Sequence, residues 1–251
     1  MVNIIDKYIV KPWKASALMK VIFINVAVYM FFLLCGILFA EATEKLFILL
    51  SFPTDLSRYI HTPWTIFSYM WIHGSLWHLV FNMCWLYWMG GMFLQIYSVR
   101  ELMVLYVSGG LLGAVVYMLY SNVIYSQPQL MLLGASAAVM AIITSTALRR
   151  MDFKCNIPLL GAVKLKWIAL GAFVLFSADF ITETGGGRFA HIGGVIAGII
   201  FLMVTAPRRI KKQVSKEVKY KNIDTIIEKV KRSGYSALSE EEKRRLFDVE
   251  K

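Results

Sequence analysis

The sequence predicts an all-α membrane protein: a bundle of six transmembrane helices followed by a small helical tail. Two observations support this fold class. Hydrophobic residues make up 58% of the 251 residues and charged residues only 17%, with a mean hydropathy of +0.59, which is far more apolar than a soluble globular domain. The apolar residues also come in long blocks, as expected of helices that cross a hydrocarbon core of roughly 30 Å.

Six apolar blocks are the predicted spans, and residues 1–20 form a basic lead-in before the first of them. The spans cover residues 21–40, 76–96, 102–120, 134–148, 167–181 and 189–206. Residues 41–75 mix charges, prolines and aromatic side chains. We expect this stretch to be a folded loop in the membrane interface, where Trp and Tyr prefer to lie. The membrane core is thus predicted to occupy residues 21–206.

Residues 207–251 are predicted to form a separate helical tail. Isoleucine and valine recur there at helical spacing. The pair Ser233-Gly234 marks a helix stop, and Ser239 with Glu242 has the pattern of a capping box. Nothing in the tail resembles a catalytic motif.

The distribution of Lys and Arg predicts the orientation. Most basic residues lie in the N-terminus, the turn at 97–101, the loop at 149–166 and the tail, whereas the other side has only Lys45, Arg58 and Arg188. The positive-inside rule then places both termini in the cytoplasm. Membrane orientation explains the net charge of +11 without a nucleic-acid partner. We expect a multi-pass protein of the bacterial inner membrane, in contact with the lipid bilayer.

Ser136 is the first candidate reactive residue. It stands in Gly134-Ala135-Ser136-Ala137-Ala138, at the start of the fourth span. A serine in a membrane helix usually bonds its own backbone or a neighbouring helix. In the first turn, however, the backbone N–H groups have no helical partner. These donors can hold a developing oxyanion, helped by the positive end of the helix.

His191 is the second candidate and begins the last span. A histidine inside a span is costly and is taken as functional by default. Gly194 and Gly198 follow it at helical spacing and form a face on which another helix can approach closely. Both candidates start inward-running helices near the outer side. We therefore predict a Ser–His dyad with His191 as general base, because no aspartate is placed to orient the ring.

His78 and Asn82 lie four residues apart on the second span and share a helix face. Two interpretations stay open for them: a hydrogen bond between helices, or two donors aimed at the oxyanion. A metal site formed by His73, His78 and His191 is a third alternative. The sequence contains no HExxH motif, and we expect neither a metal nor another cofactor.

These residues together resemble the rhomboid family of intramembrane serine proteases. The matching features, in order, are Trp64, His73, His78-Leu79-Val80-Phe81-Asn82, Gly134-Ala135-Ser136, and Ala190-His191 with Gly194 and Gly198. The resemblance covers about residues 15–206. It implies a rhomboid-like six-span core with Ser136 as nucleophile and His191 as base. It also implies an oxyanion site made of His78, Asn82 and the Ser136 backbone, and substrates that are single-span or multi-span membrane proteins.

Three positions depart from the pattern of the family. The second glycine of GxSG is Ala137, and the arginine after the loop tryptophan is Thr65. The aromatic residue four positions after the nucleophile, often a tyrosine that packs on the histidine, is Met140. Because alanine adds only a methyl group and methionine can pack on a ring, we expect activity to survive.

Two other functions stay open from sequence alone. The first is a catalytically inactive rhomboid-like protein that binds membrane helices. The second is a small transporter with Ser136, His191 and Asp179 along its path, although no inverted repeat is obvious. The sequence does not decide between a monomer and an oligomer.

Overall fold

The computed structural model describes residues 12–123, 131–157, 161–177, 187–235, 238–239 and 242–243. This part of the chain is mainly helical, as predicted. The chain divides into two compact units, Met1–Leu202 and Met203–Lys251. Each unit is described by itself.

Nine α-helices and four short strands make up the described residues. In chain order they are α1 (Pro12–Leu38), α2 (Ala40–Leu50), β1 (Phe52–Pro53), α3 (Leu56–His61), α4 (Thr65–Ser68), a 3₁₀ turn (Tyr69–Trp71), α5 (Leu76–Ile96), α6 (Val99–Val123), β2 (Met131–Leu132), α7 (Ser136–Arg149), β3 (Lys154–Ile157), β4 (Gly161–Lys164), α8 (Leu165–Ser177) and α9 (Gly187–Ser233).

Four of the described helices are long and apolar enough to cross a membrane, so the chain is an integral membrane protein. They contain Ala17–Leu38, Leu76–Ile96, Val99–Val123 and Gly187–Thr205, and they match the first, second, third and sixth predicted spans. Two shorter apolar helices, α7 with 14 residues and α8 with 13, occupy the places of the fourth and fifth. Asp179, which the prediction put near the end of the fifth span, lies outside the described residues.

Helix α7 is the buried centre of the first unit, and every residue from Ser136 to Ala147 is buried. Glycines let its neighbours come close on two sides. On α9, a Cβ built at Gly194 would collide with the Ala137 carbonyl oxygen. On α6, a Cβ built at Gly113 would lie 2.5 Å from the Cβ of Ala137. Small residues that allow such close backbone contact are the usual basis of helix association in membranes.

Residues 41–75 fold as an ordered loop, with helices α2, α3 and α4, strand β1 and the 3₁₀ turn. Side chains satisfy the free carbonyls at the end of α2, where the helix has no further N–H donors of its own. The Trp64 indole N–H donates to the Leu49 carbonyl at 3.0 Å, and the Ser68 hydroxyl donates to the Leu50 carbonyl at 2.6 Å. The loop tryptophan therefore anchors α2 to α4.

The basic loop at 149–166 contains a β-hairpin that the prediction of an all-α fold did not include. Strands β3 and β4 pair antiparallel, with Lys154 opposite Lys164. Four residues per strand are too few to give a clear alternating pattern in the sequence. Lys164 also donates to Asp152 at 3.0 Å, and this hydrogen bond lowers the pKa of the Asp152 carboxyl below its usual value.

The described part of the second unit shows the two local signals that the sequence predicted for the tail. Helix α9 ends at Ser233, and Gly234 follows with a φ of +79°. The Ser239 N–H donates to Glu242 at 2.7 Å, and the Glu242 N–H donates to the Ser239 hydroxyl at 3.2 Å; this is a capping box. Lys229 also donates to Glu242, and these bonds lower the pKa of Glu242 to about 2.

Candidate active site

Ser136 is the first residue of α7, and so lies in the first turn of this helix, as the sequence predicted. The preceding residue, Ala135, is the N-cap, and no described side chain caps the helix there. The first helical hydrogen bond runs from Val139 to Ala135, so the N–H groups before Val139 have no partner within the helix. The serine hydroxyl thus lies beside free backbone donors and the positive end of a helix.

The turn before Ser136 is held by the interfacial loop. Gly134 has a φ of +103°, a conformation that glycine adopts far more easily than other residues. Its N–H donates to the Tyr69 carbonyl at 2.9 Å, and Tyr69 donates its hydroxyl to the Gly110 carbonyl at 2.7 Å. Two residues earlier, Leu132 on β2 pairs with Phe52 on β1. The position of Ser136 therefore depends on residues of the loop at 41–75.

The structure brings Ser136 and His191 together. The His191 Nε2 atom lies 2.8 Å from the Ser136 Oγ atom, and the two residues are 3% and 0% exposed. That distance is within the range expected of a nucleophile and its base. The other ring nitrogen, Nδ1, has no hydrogen-bond partner among the residues that the structure describes. A third residue of a catalytic triad is therefore not present within this described part.

His78 lies against the turn that leads to Ser136. The Ser75 hydroxyl caps α5 by accepting from the His78 N–H at 3.2 Å. A Cβ built at Gly134 would lie 2.6 Å from the Nε2 and Cε1 atoms of the His78 ring. The imidazole therefore packs directly on Gly134, and its Nε2 is unpartnered among the described atoms.

Asn82 is fully buried one turn further along α5. Its amide nitrogen donates to the His78 carbonyl at 2.9 Å, a bond within its own helix. One amide hydrogen remains for another acceptor, because an asparagine amide carries two. The structure thus places Asn82 on the same face as His78, as the spacing predicted.

Unpartnered buried polar atoms concentrate around this serine. Within the described residues they include both ring nitrogens of His73, Nε2 of His78, Oδ1 of Asn82 and Nδ1 of His191. The His73 and His78 rings meet edge to face, with centroids 5.1 Å apart. Buried polar groups normally have partners, so the hydrogen-bonding capacity of these side chains is not used up by the described residues. In the same part of the chain, no group of three His, Cys, Asp or Glu side chains could hold a metal ion.

The packing accommodates the three departures from the family pattern. The methyl group of Ala137 faces Gly113, where a neighbour has no side chain. Met140 of α7 packs against α9 at Gly194, since a Cβ built at Gly194 would be 3.2 Å from the Met140 Cβ. Thr65 is fully buried and donates to the Thr62 carbonyl at 2.6 Å.

The sequence pattern did not identify two residues that contact the site. Tyr69 fixes the Gly134 turn, and Phe176 of α8 packs its ring on His191 with centroids 5.5 Å apart. Both are aromatic residues in apolar surroundings, and neither has a spacing that marks it.

Comparison with known families decides the classification. Residues 61–208, more than half of the chain, match the family described as "Rhomboid domain". The chain belongs to the rhomboid family. The sequence-based assignment to that family is confirmed.

Individual relatives of this rhomboid differ in what their names say of activity. Rhomboid protease GlpG of Yersinia enterocolitica is 26% identical over 152 residues, which is 60% of this chain and 51% of that protein. GlpG of Yersinia pseudotuberculosis is 24% identical over the same shares. Inactive rhomboid-related protein 2 of Caenorhabditis elegans is 26% identical over 161 residues, 61% of this chain and 43% of that protein. The chain spans about half the length of these curated relatives, and its activity has to be argued from its own residues.

Replacing Gly134 tests how tightly the turn and His78 are packed. Gly134→Ala should lower the free energy of unfolding by about 1–2 kcal/mol through backbone strain and by about 1–3 kcal/mol more through the collision with His78. Gly161→Ala is the matched control: its φ is also positive, +71°, but no atom of the described residues lies within 4 Å of the new methyl group.

Thermal melting of the two purified variants in detergent gives the measurement. A clearly larger decrease for Gly134→Ala is expected. Equal decreases would mean that His78 does not pack on the turn.

Proposed function

We propose that this rhomboid is an intramembrane serine endopeptidase that cleaves peptide bonds in or near transmembrane segments of other membrane proteins. The observation that carries the proposal is the 2.8 Å contact between Ser136 Oγ and His191 Nε2 at the start of a buried helix. A serine hydroxyl is a weak nucleophile unless an adjacent base takes its proton. His191 is the group placed to do this.

In the proposed reaction, Ser136 Oγ attacks the substrate carbonyl while His191 Nε2 takes the hydroxyl proton. The protonated ring then gives that proton to the leaving amine, and an acyl-enzyme on Ser136 results. A water molecule, deprotonated by the same nitrogen, then attacks the ester; the ring returns the proton to Ser136 Oγ as the acyl bond breaks, and the second product leaves with a new carboxyl end. The ring thus serves as base and acid in turn.

The negative oxygen that forms on the carbonyl needs donors in place before the reaction. The proposed donors are the Ser136 backbone N–H at the N-terminus of α7, the His78 ring and the Asn82 amide. Their support is the packing of His78 on the Gly134 turn and the position of Asn82 one turn away on the same helix face.

We assign a six-span bundle to the core by adding α7 and α8 to the four longer helices. At 1.5 Å per residue, the 14 residues of α7 extend only about 21 Å, less than the roughly 30 Å of hydrocarbon. This mismatch in length is tolerable for α7 because the helix is buried, and a helix enclosed by others need not match the thickness of the lipid. In this proposal, a short central helix would put Ser136 below the membrane surface.

The expected substrates are membrane proteins whose helices unwind readily. The backbone of a transmembrane helix is satisfied internally, so a carbonyl reaches Ser136 only after local unwinding. Glycine, proline or small residues near the outer interface would favour this. The bilayer is the medium in which enzyme and substrate meet.

The alternative is a rhomboid that binds membrane helices without cleaving them. The inactive relative from Caenorhabditis elegans and the residues Ala137, Thr65 and Met140 favour it. Labelling with a fluorophosphonate, which reacts with activated serines, separates the two functions.

Removing the nucleophile or the base tests the proposal directly. Ser136→Ala and His191→Ala should each reduce cleavage of a membrane-helix substrate by about 10⁴- to 10⁶-fold, because the two groups act as one unit. Fluorophosphonate labelling should be lost in parallel. Ser145→Ala, a buried serine on the same helix with its hydroxyl unpartnered among described atoms, is the control and should remain active. Full turnover by folded Ser136→Ala would exclude Ser136 as the nucleophile and, with it, the serine-protease mechanism proposed for this chain.

His78→Ala and Asn82→Ala distinguish oxyanion donors from structural residues. Loss of one donor should lower kcat by about 10²- to 10³-fold and change substrate binding much less. A hydrogen bond that only joins helices is worth about 0.6 kcal/mol on average. It would lower the melting temperature and leave the folded fraction fully active. Measuring kcat and melting on the same samples decides, and normal kcat would remove both residues from the site.

Orientation in the bacterial inner membrane follows from the Lys and Arg bias, with both termini and the helical tail cytoplasmic and the site facing outward. A tag inserted in residues 121–133 should react with an impermeant reagent on intact cells. A tag at the C-terminus should react only after lysis. Labelling of the 149–166 loop from outside would reverse the orientation and place the site on the cytoplasmic side.

A further inference from the structure

Within the described residues, the His191 ring makes a hydrogen bond through only one of its two nitrogens. Its Nε2 meets Ser136, whereas Nδ1 has no partner among the described residues. The torsion that turns an imidazole about its Cβ–Cγ bond has broad, weak preferences of its own. A base must nevertheless stay within about 2.6–3.2 Å of the heavy atom whose proton it takes. Packing against the ring can supply a further constraint on its orientation.

Phe176 of α8 supplies such packing. Its ring meets the His191 ring at 5.5 Å between centroids and at 66°, an edge-to-face arrangement. This is a favourable geometry for aromatic pairs. Phe176 is 1% exposed and His191 is fully buried, so solvent does not compete with the contact.

Phe176 is also packed by two aromatic residues of α5. The Phe81 ring of α5 packs on it edge to face, with centroids 4.8 Å apart. Trp85, one turn further along α5, lies 6.3 Å away. The phenyl ring therefore contacts aromatic residues of α5 as well as His191, and these contacts limit its freedom to move.

From these contacts we infer that Phe176 is a positioning residue for the general base. It acts through the orientation of the His191 imidazole, on which its ring packs. The inference rests on the proposed function. Because the ring must serve as base and then as acid on the leaving amine, a loss of orientation should slow the chemical steps. It should leave the affinity for substrate nearly unchanged.

The test replaces the ring by an aliphatic side chain. Phe176→Leu should lower kcat and the rate of fluorophosphonate labelling of Ser136 by about 10- to 100-fold, since small misplacements of catalytic groups have effects of this size. KM should stay within about two-fold. Phe176→Met, which has about the same volume as leucine but a flexible, unbranched side chain that adapts to irregular gaps, should behave alike and serves if the leucine variant does not fold.

Phe173→Leu is the matched control. Phe173 lies one turn earlier on α8, is half-buried, and lines a groove with Met140 and Val195. This variant loses an aromatic ring from the same helix and should keep wild-type kcat and labelling rate. Melting temperatures of all variants in detergent separate loss of fold from loss of positioning.

Three results would overturn the inference: wild-type kcat and labelling in folded Phe176→Leu or Phe176→Met, an equal kcat loss in Phe173→Leu, or a raised KM with unchanged kcat. Failure of the proposed function is a different result. In that case the wild-type protein itself is not labelled at Ser136. A labelled wild type with an equally fast Phe176→Leu variant would refute the positioning role alone.

Discussion

The contact between the backbones of α7 and α9 is the constraint on which the site depends. In a bilayer, apolar side chains gain little by leaving lipid for protein, so helices associate through close packing and hydrogen bonds. Gly194 and Gly198 let α9 approach Ala137 and Ala141 until backbone atoms touch. That approach brings the start of α9 beside the start of α7. The bond between Ser136 and His191 is therefore a product of glycine positions a turn or two away.

The sequence predicted the features that depend on local pattern. Long apolar blocks located the helices, and the bounds of α5, Leu76–Ile96, agree with the predicted span. The glycine spacing after His191 predicted its close neighbour, because a row of small residues has few other uses in a span. The spacing of His78 and Asn82 likewise placed them on one face. The end of α9 and the capping box of the tail followed from local signals of the same kind.

Contacts between distant segments could not be predicted in this way. Phe176 lies in an apolar run where any aromatic residue would look the same, and its contact with His191 depends on how α8 packs. The carbonyl of Tyr69 that holds Gly134 is a backbone atom, which no residue type reveals. The β3–β4 hairpin is too short for its alternation to be distinguished from a loop. For Phe176 and Tyr69, the contact depends on the tertiary arrangement of the elements, which no local sequence pattern records.

Because α7 is buried and α1 is largely exposed, the two helices of the first unit should differ in how many substitutions they tolerate. A larger side chain at Ala137 or Ala141 would meet the backbone of α6 or α9. By contrast, only 11% of the apolar segment of α1 is buried, so most exchanges among aliphatic residues there alter a surface made for lipid. Homologous chains can therefore diverge widely along α1 and still keep the same α7. The polar run Thr144-Ser145-Thr146 fits in α7 because all three residues are buried against other helices rather than on the outer surface.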